Sequence, residues 1–155
     1  MRAVIQRVSE ASVKVDGDTV GKIGRGFLVL LGVGKGDSEA EADVLASKIA
    51  KMRIFCDENG KMNLSLDQVG GEILVISQFT LYANCVHGNR PDYFNAETPE
   101  RASCLYEYFC AKLSSLSGIT PEKGIFGADM KVSLLNDGPV TIILDTDELT
   151  KKDKK

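Results

Sequence analysis

The chain has 155 residues, 43% hydrophobic and 26% charged, with a formal net charge of −3. That length and balance suit one globular domain with a substantial core, and they exclude a general phosphate-binding sleeve, which needs a basic field able to release counterions from several phosphates. Four cysteines without a C-x-x-C spacing and one histidine argue against a zinc site or disulfide framework, and the alternating start Met1-Arg2-Ala3-Val4-Ile5-Gln6-Arg7 is neither a signal peptide nor a membrane span.

Ala3 to Val8 and Ala11 to Val15 read as strands, followed by a turn at Asp16-Gly17-Asp18 and a further strand over Thr19 to Ile23. Phe27 to Val33 is apolar without alternation, the pattern of a central strand covered on both sides. Ser38-Glu39-Ala40-Glu41 is a capping box that opens a helix, and Ala42, Leu45, Ile49 and Met52 supply its apolar stripe. Arg53 to Cys56 and Lys61 to Leu64 flank Asp57-Glu58-Asn59-Gly60, which predicts a hairpin turning tightly at Asn-Gly.

Glu72 to Ile76 is again apolar enough for a strand buried on both faces, and Ser77, Gln78 and Thr80 emerge at its end. The stretch from Tyr82 to Glu97 lacks periodicity and predicts a long loop framing that end. A second helix starts at Thr98 and Pro99, with Ala102, Leu105, Phe109, Leu113 and Leu116 as its buried face, and stops before Gly118. Lys131 to Asn136 and Val140 to Leu144 read as two strands joined at a corner, Asp137-Gly138-Pro139.

No catalytic triad assembles from these residues, because the only histidine is His87, in the loop. A Cys85–His87 pair does not follow from their spacing, and the two read as unrelated. Thr80 has no adjacent base, so its hydroxyl reads more readily as a hydrogen-bonding or packing group than as a nucleophile. The segment Ser77 to Leu81 has a plain alternative as a strand end, with Phe79 and Leu81 turned to the core. Gly138-Pro139 is equally readable as a hairpin corner of either isomer. Gly32-Val33-Gly34-Lys35-Gly36 lacks the spacing and terminal residues of a phosphate loop and reads as a strand-to-helix turn.

Six blocks in one order carry a resemblance: Ile5-Gln6-Arg7-Val8, Gly60-Lys61-Met62-Asn63-Leu64, Ser77-Gln78-Phe79-Thr80-Leu81, Asn89-Arg90-Pro91, Gly127-Ala128-Asp129-Met130 and Asn136-Asp137-Gly138-Pro139-Val140-Thr141. Along nearly its whole length the chain resembles the D-aminoacyl-tRNA deacylase family. The resemblance implies an α/β fold, with a mostly antiparallel or mixed, barrel-like sheet and two main helices packed on it. One domain is expected over 1–147, with a lysine-rich, disordered tail over 148–155. It also implies a homodimer whose active site combines Ser77, Gln78, Phe79 and Thr80 of one subunit with Gly138 and Pro139 of the other. Arg7 would brace that corner, Phe126 would stack on the terminal adenine, and Met130 would lie near the pocket.

The implied reaction is hydrolysis of the ester in D-aminoacyl-tRNA at its terminal adenosine, assisted by the RNA 2′-hydroxyl, with the Gly-Pro corner excluding L-aminoacyl groups and leaving glycyl-tRNA as a possible substrate. No cofactor, metal or membrane is expected, and the expected location is the cytoplasm. Asn84-Cys85-Val86-His87-Gly88 is less basic than the family pattern, which weakens the expected phosphate contact there. Two competing readings are a noncatalytic RNA-binding dimer and an esterase with Thr80 as nucleophile.

Overall fold

The computed structural model describes residues 1–151. Its centre is β1 (Arg2–Val15), a single 14-residue strand where two were expected. One edge of β1 pairs antiparallel with β2 (Asp18–Ile23) along its second half and with β3 (Gly26–Gly32) along its first. The other edge runs antiparallel to β8 (Lys131–Asp145) over almost its whole length. From β3 the sheet continues in parallel to β6 (Glu72–Ser77) and then to β7 (Glu122–Lys123), a two-residue strand too short for a sequence pattern.

The sheet curls until β2 faces β6 and β7. A Cβ on Gly21 would lie 2.7 Å from the Lys123 carbonyl oxygen and 3.1 Å from Leu74, so only glycine allows this close approach and the barrel-like closure it gives. Val8, Ala11, Val13, Ile23, Leu28, Leu74 and Ile76 fill the interior. On the outside, Ile5, Phe27, Val29, Leu31, Ile73 and Val75 meet the two helices. Alternate residues of β3 and β6 thus serve two cores, which is why both strands read as continuously apolar. In β1 the interior set changes parity between Val8 and Ala11, and there the register with β8 slips. This irregularity makes the break the sequence shows, yet the ladder carries through it.

The helix α1 (Glu39–Ala50) begins at the expected box: Ala40 N donates to Ser38 Oγ, and the Glu41 carboxylate accepts from Ser38 N at 2.7 Å and from Ser38 Oγ at 2.6 Å. The helix α2 (Pro99–Ser117) has Thr98 at its N-cap position, but the threonine hydroxyl makes no capping bond. Leu116, expected on the buried face, is 43% exposed in the last turn of the helix; Ala102, Leu105, Phe109 and Leu113 are buried as expected.

A small hairpin of β4 (Phe55–Cys56) and β5 (Met62–Leu64) turns through Asp57 to Gly60. Only Gly60 takes a positive φ there, at 75°. The Asp57 carboxylate accepts from Asn59 N and Lys61 N, so it organises a wider turn than the expected Asn-Gly one.

The third helix, α3 (Thr146–Leu149), follows β8 directly, and Asp145 caps it by accepting from Asp147 N. Of the tail expected over 148–155, Glu148 and Leu149 belong to this helix and Thr150 N and Lys151 N donate to Thr146 O and Glu148 O, whereas 152–155 lie outside the described residues. No helix among those described is long and apolar enough to cross a membrane.

Candidate active site

Strand β6 pairs with β3 as far as Ser77 opposite Leu31, and Gln78 N makes the next rung by donating to Leu31 O at 2.7 Å. The chain then leaves the sheet as a 3-10 turn over Phe79–Tyr82. The expected alternation of Phe79 and Leu81 into the core is absent: Phe79 is 56% exposed and meets Tyr93 edge to face at 5.0 Å. Turn bonds run from Leu81 N to Gln78 O and from Ala83 N to Thr80 O. The amides of Phe79 and Thr80 open the turn and donate to no protein acceptor among the described residues.

A cleft of about 270 Å³ lies beside this turn, lined by Ser77, Gln78 and Phe79 on one side and by Phe126, Ala128 and Met130 on another. Five of the residues singled out in the sequence therefore meet, although about fifty positions separate the two groups. Tyr106 supports Phe126, its ring 6.2 Å away and tilted, while its hydroxyl donates to Val75 O at 2.7 Å in the adjoining strand. Met130 passes so close to Gly124 that a Cβ there would lie 2.5 Å from its sulfur.

The Thr80 hydroxyl accepts a bond from the Gln78 side-chain amide. An amide nitrogen cannot act as a base, and no carboxylate or imidazole bonds the hydroxyl, so the threonine has no activating partner among the described residues. His87 stands on the exposed loop. Burial pushes the Cys110 thiol up to about 12, which keeps it protonated, and the other three cysteines are free and exposed.

Gly138, Pro139 and Arg7 lie outside this cleft. Where two strands joined at a corner were expected, Asp137 to Val140 bulge out of one continuous strand. Gln6 pairs with Thr141 and Val8 with Asn136, so two steps along β1 match five along β8. The Gly138–Pro139 peptide is cis and both residues are exposed. Arg7, almost wholly buried, donates from Nε to Asp137 O at 3.0 Å and from Nη1 to Ile54 O at 2.8 Å. Asn136 closes the bulge: with its amide nitrogen turned inward, as the surrounding groups require, it donates to Arg7 O at 3.0 Å and Val140 O at 3.2 Å.

Tyr93 and Asn136 are the contacts that sequence reasoning missed. Tyr93 sits in an aperiodic loop, which the paired amides and carbonyls of Asn84 and Asp92 close on itself and which Lys35 N and Glu97 N tie down through Asn95 O and Val33 O. Asn136 belongs to a segment the sequence singles out, but its bond to Arg7 O depends on a strand far away in the chain.

A protein-family model described as D-Tyr-tRNA(Tyr) deacylase matches residues 4–145. A protein of Geotalea uraniireducens named D-aminoacyl-tRNA deacylase is 64% identical over 146 residues, covering 94% of this chain and 94% of that protein. Its namesake from Thermosipho melanesiensis is 56% identical, covering 94% and 97%. Among solved structures, the c-Myc DNA Unwinding Element Binding Protein superposes with a TM-score of 0.86 at 43% identity, covering 94% of this chain and 98% of that one. A probable eukaryotic D-amino acid tRNA deacylase, 16% identical with a TM-score of 0.79, covers 92% and 97% and shares the fold.

Proposed function

The chain belongs to the D-Tyr-tRNA(Tyr) deacylase family, and on that premise we propose that it hydrolyses the ester of D-aminoacyl-tRNA, releasing the D-amino acid and intact tRNA. The observation that carries this reading is the single cleft in which Ser77, Gln78 and Phe79 face Phe126 and Met130. Phe126 offers a ring on which the terminal adenine stacks. The amides of Phe79 and Thr80, which donate to no protein acceptor among the described residues, suit the developing charge on the ester oxygen. Loss of one donor of that kind slows acyl transfer by about 10²–10³.

The attacking water needs a base, and Thr80 has none. The reading therefore assigns assistance to the 2′-hydroxyl of the RNA itself, with Thr80 and Gln78 as hydrogen-bonding groups.

Chiral selection is assigned to Gly138 and Pro139 of a second copy. Both are exposed on a strand whose outer edge pairs with nothing among the described residues, and beside them Leu135 and Ile143 are 58% and 74% exposed. A long apolar edge of this kind invites pairing with another chain. The backbone of a neighbouring Gly-Pro bulge would fill the space an L side chain needs and leave a D side chain free, so glycyl-tRNA, with no side chain to exclude, would also be cleaved.

The test is deacylation of D-tyrosyl-tRNA and L-tyrosyl-tRNA side by side, and of D-tyrosyl-tRNA ending in 2′-deoxyadenosine. Rapid release from the D ester alone, with slow turnover of the deoxy substrate, is expected. Binding without release would favour a noncatalytic RNA-binding dimer, and undiminished turnover of the deoxy substrate would remove the 2′-hydroxyl from the mechanism.

A further inference from the structure

Arg2 opens β1 on the far side of the site turn, and it touches that turn twice. Its Nη1 donates to Leu81 O at 3.1 Å, and its guanidinium carbon lies 4.5 Å from the centre of the Tyr82 ring. The third contact fixes the arginine itself: Nε donates to Asp145 Oδ2 at 2.8 Å, and Arg2 pairs with Asp145 across the β1–β8 ladder. Leu81 and Tyr82 follow directly on Phe79 and Thr80 in the four-residue turn.

A 3-10 turn this short has weak internal hydrogen bonding, so contacts from outside must set its position. The end of β3 and the segment after it supply a floor: a Cβ on Gly32 would lie 3.0 Å from the Leu81 side chain, and one on Gly34 would lie 2.6 Å from the Tyr82 ring. Arg2 supplies the hold. Its planar group bonds a carbonyl, stacks on a ring and pairs with a carboxylate at once, a combination the point charge of lysine cannot reproduce.

We propose that Arg2 is a positioning residue of the ester-hydrolysing site, gripping the Phe79–Tyr82 turn from behind and so fixing the amides of Phe79 and Thr80 against the ester carbonyl. The proposal rests on the hydrolase reading above. Asp145 anchors Arg2 without touching the turn, so its effect on the site passes through the arginine.

The experiment compares wild type, Arg2→Ala, Arg2→Lys and Asp145→Asn as full-length proteins. Three quantities are read: kcat and KM on D-tyrosyl-tRNA, thermal unfolding, and hydrogen exchange at the amides of Leu81 and Ala83. Arg2→Ala is expected to lower kcat about tenfold with KM changed less than about twofold, within the roughly hundredfold that an ångström of misplacement costs. Its turn amides should exchange faster than those of wild type. Arg2→Lys should recover thermal stability more fully than kcat. Asp145→Asn loosens the anchor and leaves both contacts of Arg2 with the turn in place, so kcat should fall, but by less than in Arg2→Ala, with a smaller rise in exchange at Leu81 and Ala83.

An Arg2→Ala protein with lowered stability but wild-type kcat and wild-type exchange at Leu81 and Ala83 overturns the proposal. Absence of deacylase activity in wild type overturns the hydrolase reading and the catalytic half of this one. The exchange rates decide the grip on the turn in either case.

Discussion

Gly138 shows how a single residue is dictated by its surroundings. Its φ of 132° lies where side chains are rarely tolerated, and a Cβ would stand 2.9 Å from both Arg7 Nη2 and Val140 Cγ2. Arg7 has little room to yield, since its guanidinium also holds Ile54 O and Asp137 O. Gly138→Ala is therefore expected to cost about 1–3 kcal/mol in thermal or denaturant unfolding, the range for a residue held in an unfavourable backbone region. If the bulge excludes L-aminoacyl groups, the same variant should narrow the gap between D and L turnover in the chirality-resolved assay. The need for glycine at this position was not legible in the sequence, because Asp-Gly-Pro is equally at home in a hairpin; the bulge that sets its φ and the guanidinium of Arg7, from 131 positions earlier, come from the fold.

Among the elements, α1 was legible in nearly every detail, because its signals are local. Ser38 and Glu41 satisfy each other's groups within one turn. Bonds from the Ser38 side chain and then its amide hold the Glu41 carboxyl below its ordinary value of 4.5. The folded chain thus binds fewer protons than the unfolded chain between the lowered value and 4.5. Stability from this cap is fully present above about pH 4.5 and is lost as pH falls through the lowered value. Ser38→Ala is expected to cost about 1 kcal/mol near neutrality, and the difference from wild type should shrink at pH 3, as parallel urea titrations at the two pH values would reveal. The second helix was less legible. Its start and stop were visible in Pro99 and Gly118, but the exposure of Leu116 at its last turn was not.

For the molecule as a whole, the decisive feature is β8, the outermost strand against β1, with Leu134, Leu135 and Ile143 exposed along it. The cleft and the Gly-Pro bulge belong to one chain but do not meet within it. The homodimer proposed above would join them and cover the apolar edge together. Ile143→Asp tests this at the scale of the assembly. Sedimentation should find a dimer for wild type and a shift toward monomer for the variant, together with loss of D-tyrosyl-tRNA hydrolysis while far-ultraviolet circular dichroism is unchanged. A monomeric wild type with full activity and selectivity would remove the second copy from the site.

The sequence by itself determined what depends on neighbours a few positions away: the capping box of α1, the two doubly buried strands, the end of α2 at Gly118, and the polar segment after Ile76. The motif resemblance added Phe126 and Met130, which the fold brings to the same cleft as Ser77. Tertiary structure alone decided that Ala3 to Val15 form one strand, that Asp137 to Val140 bulge out of a ladder and do not end it, and that Arg2 and Tyr93 reach the site turn. Each of these depends on a partner distant in the chain, since a backbone amide or an aromatic ring is indifferent to which carbonyl or face it meets until packing selects one.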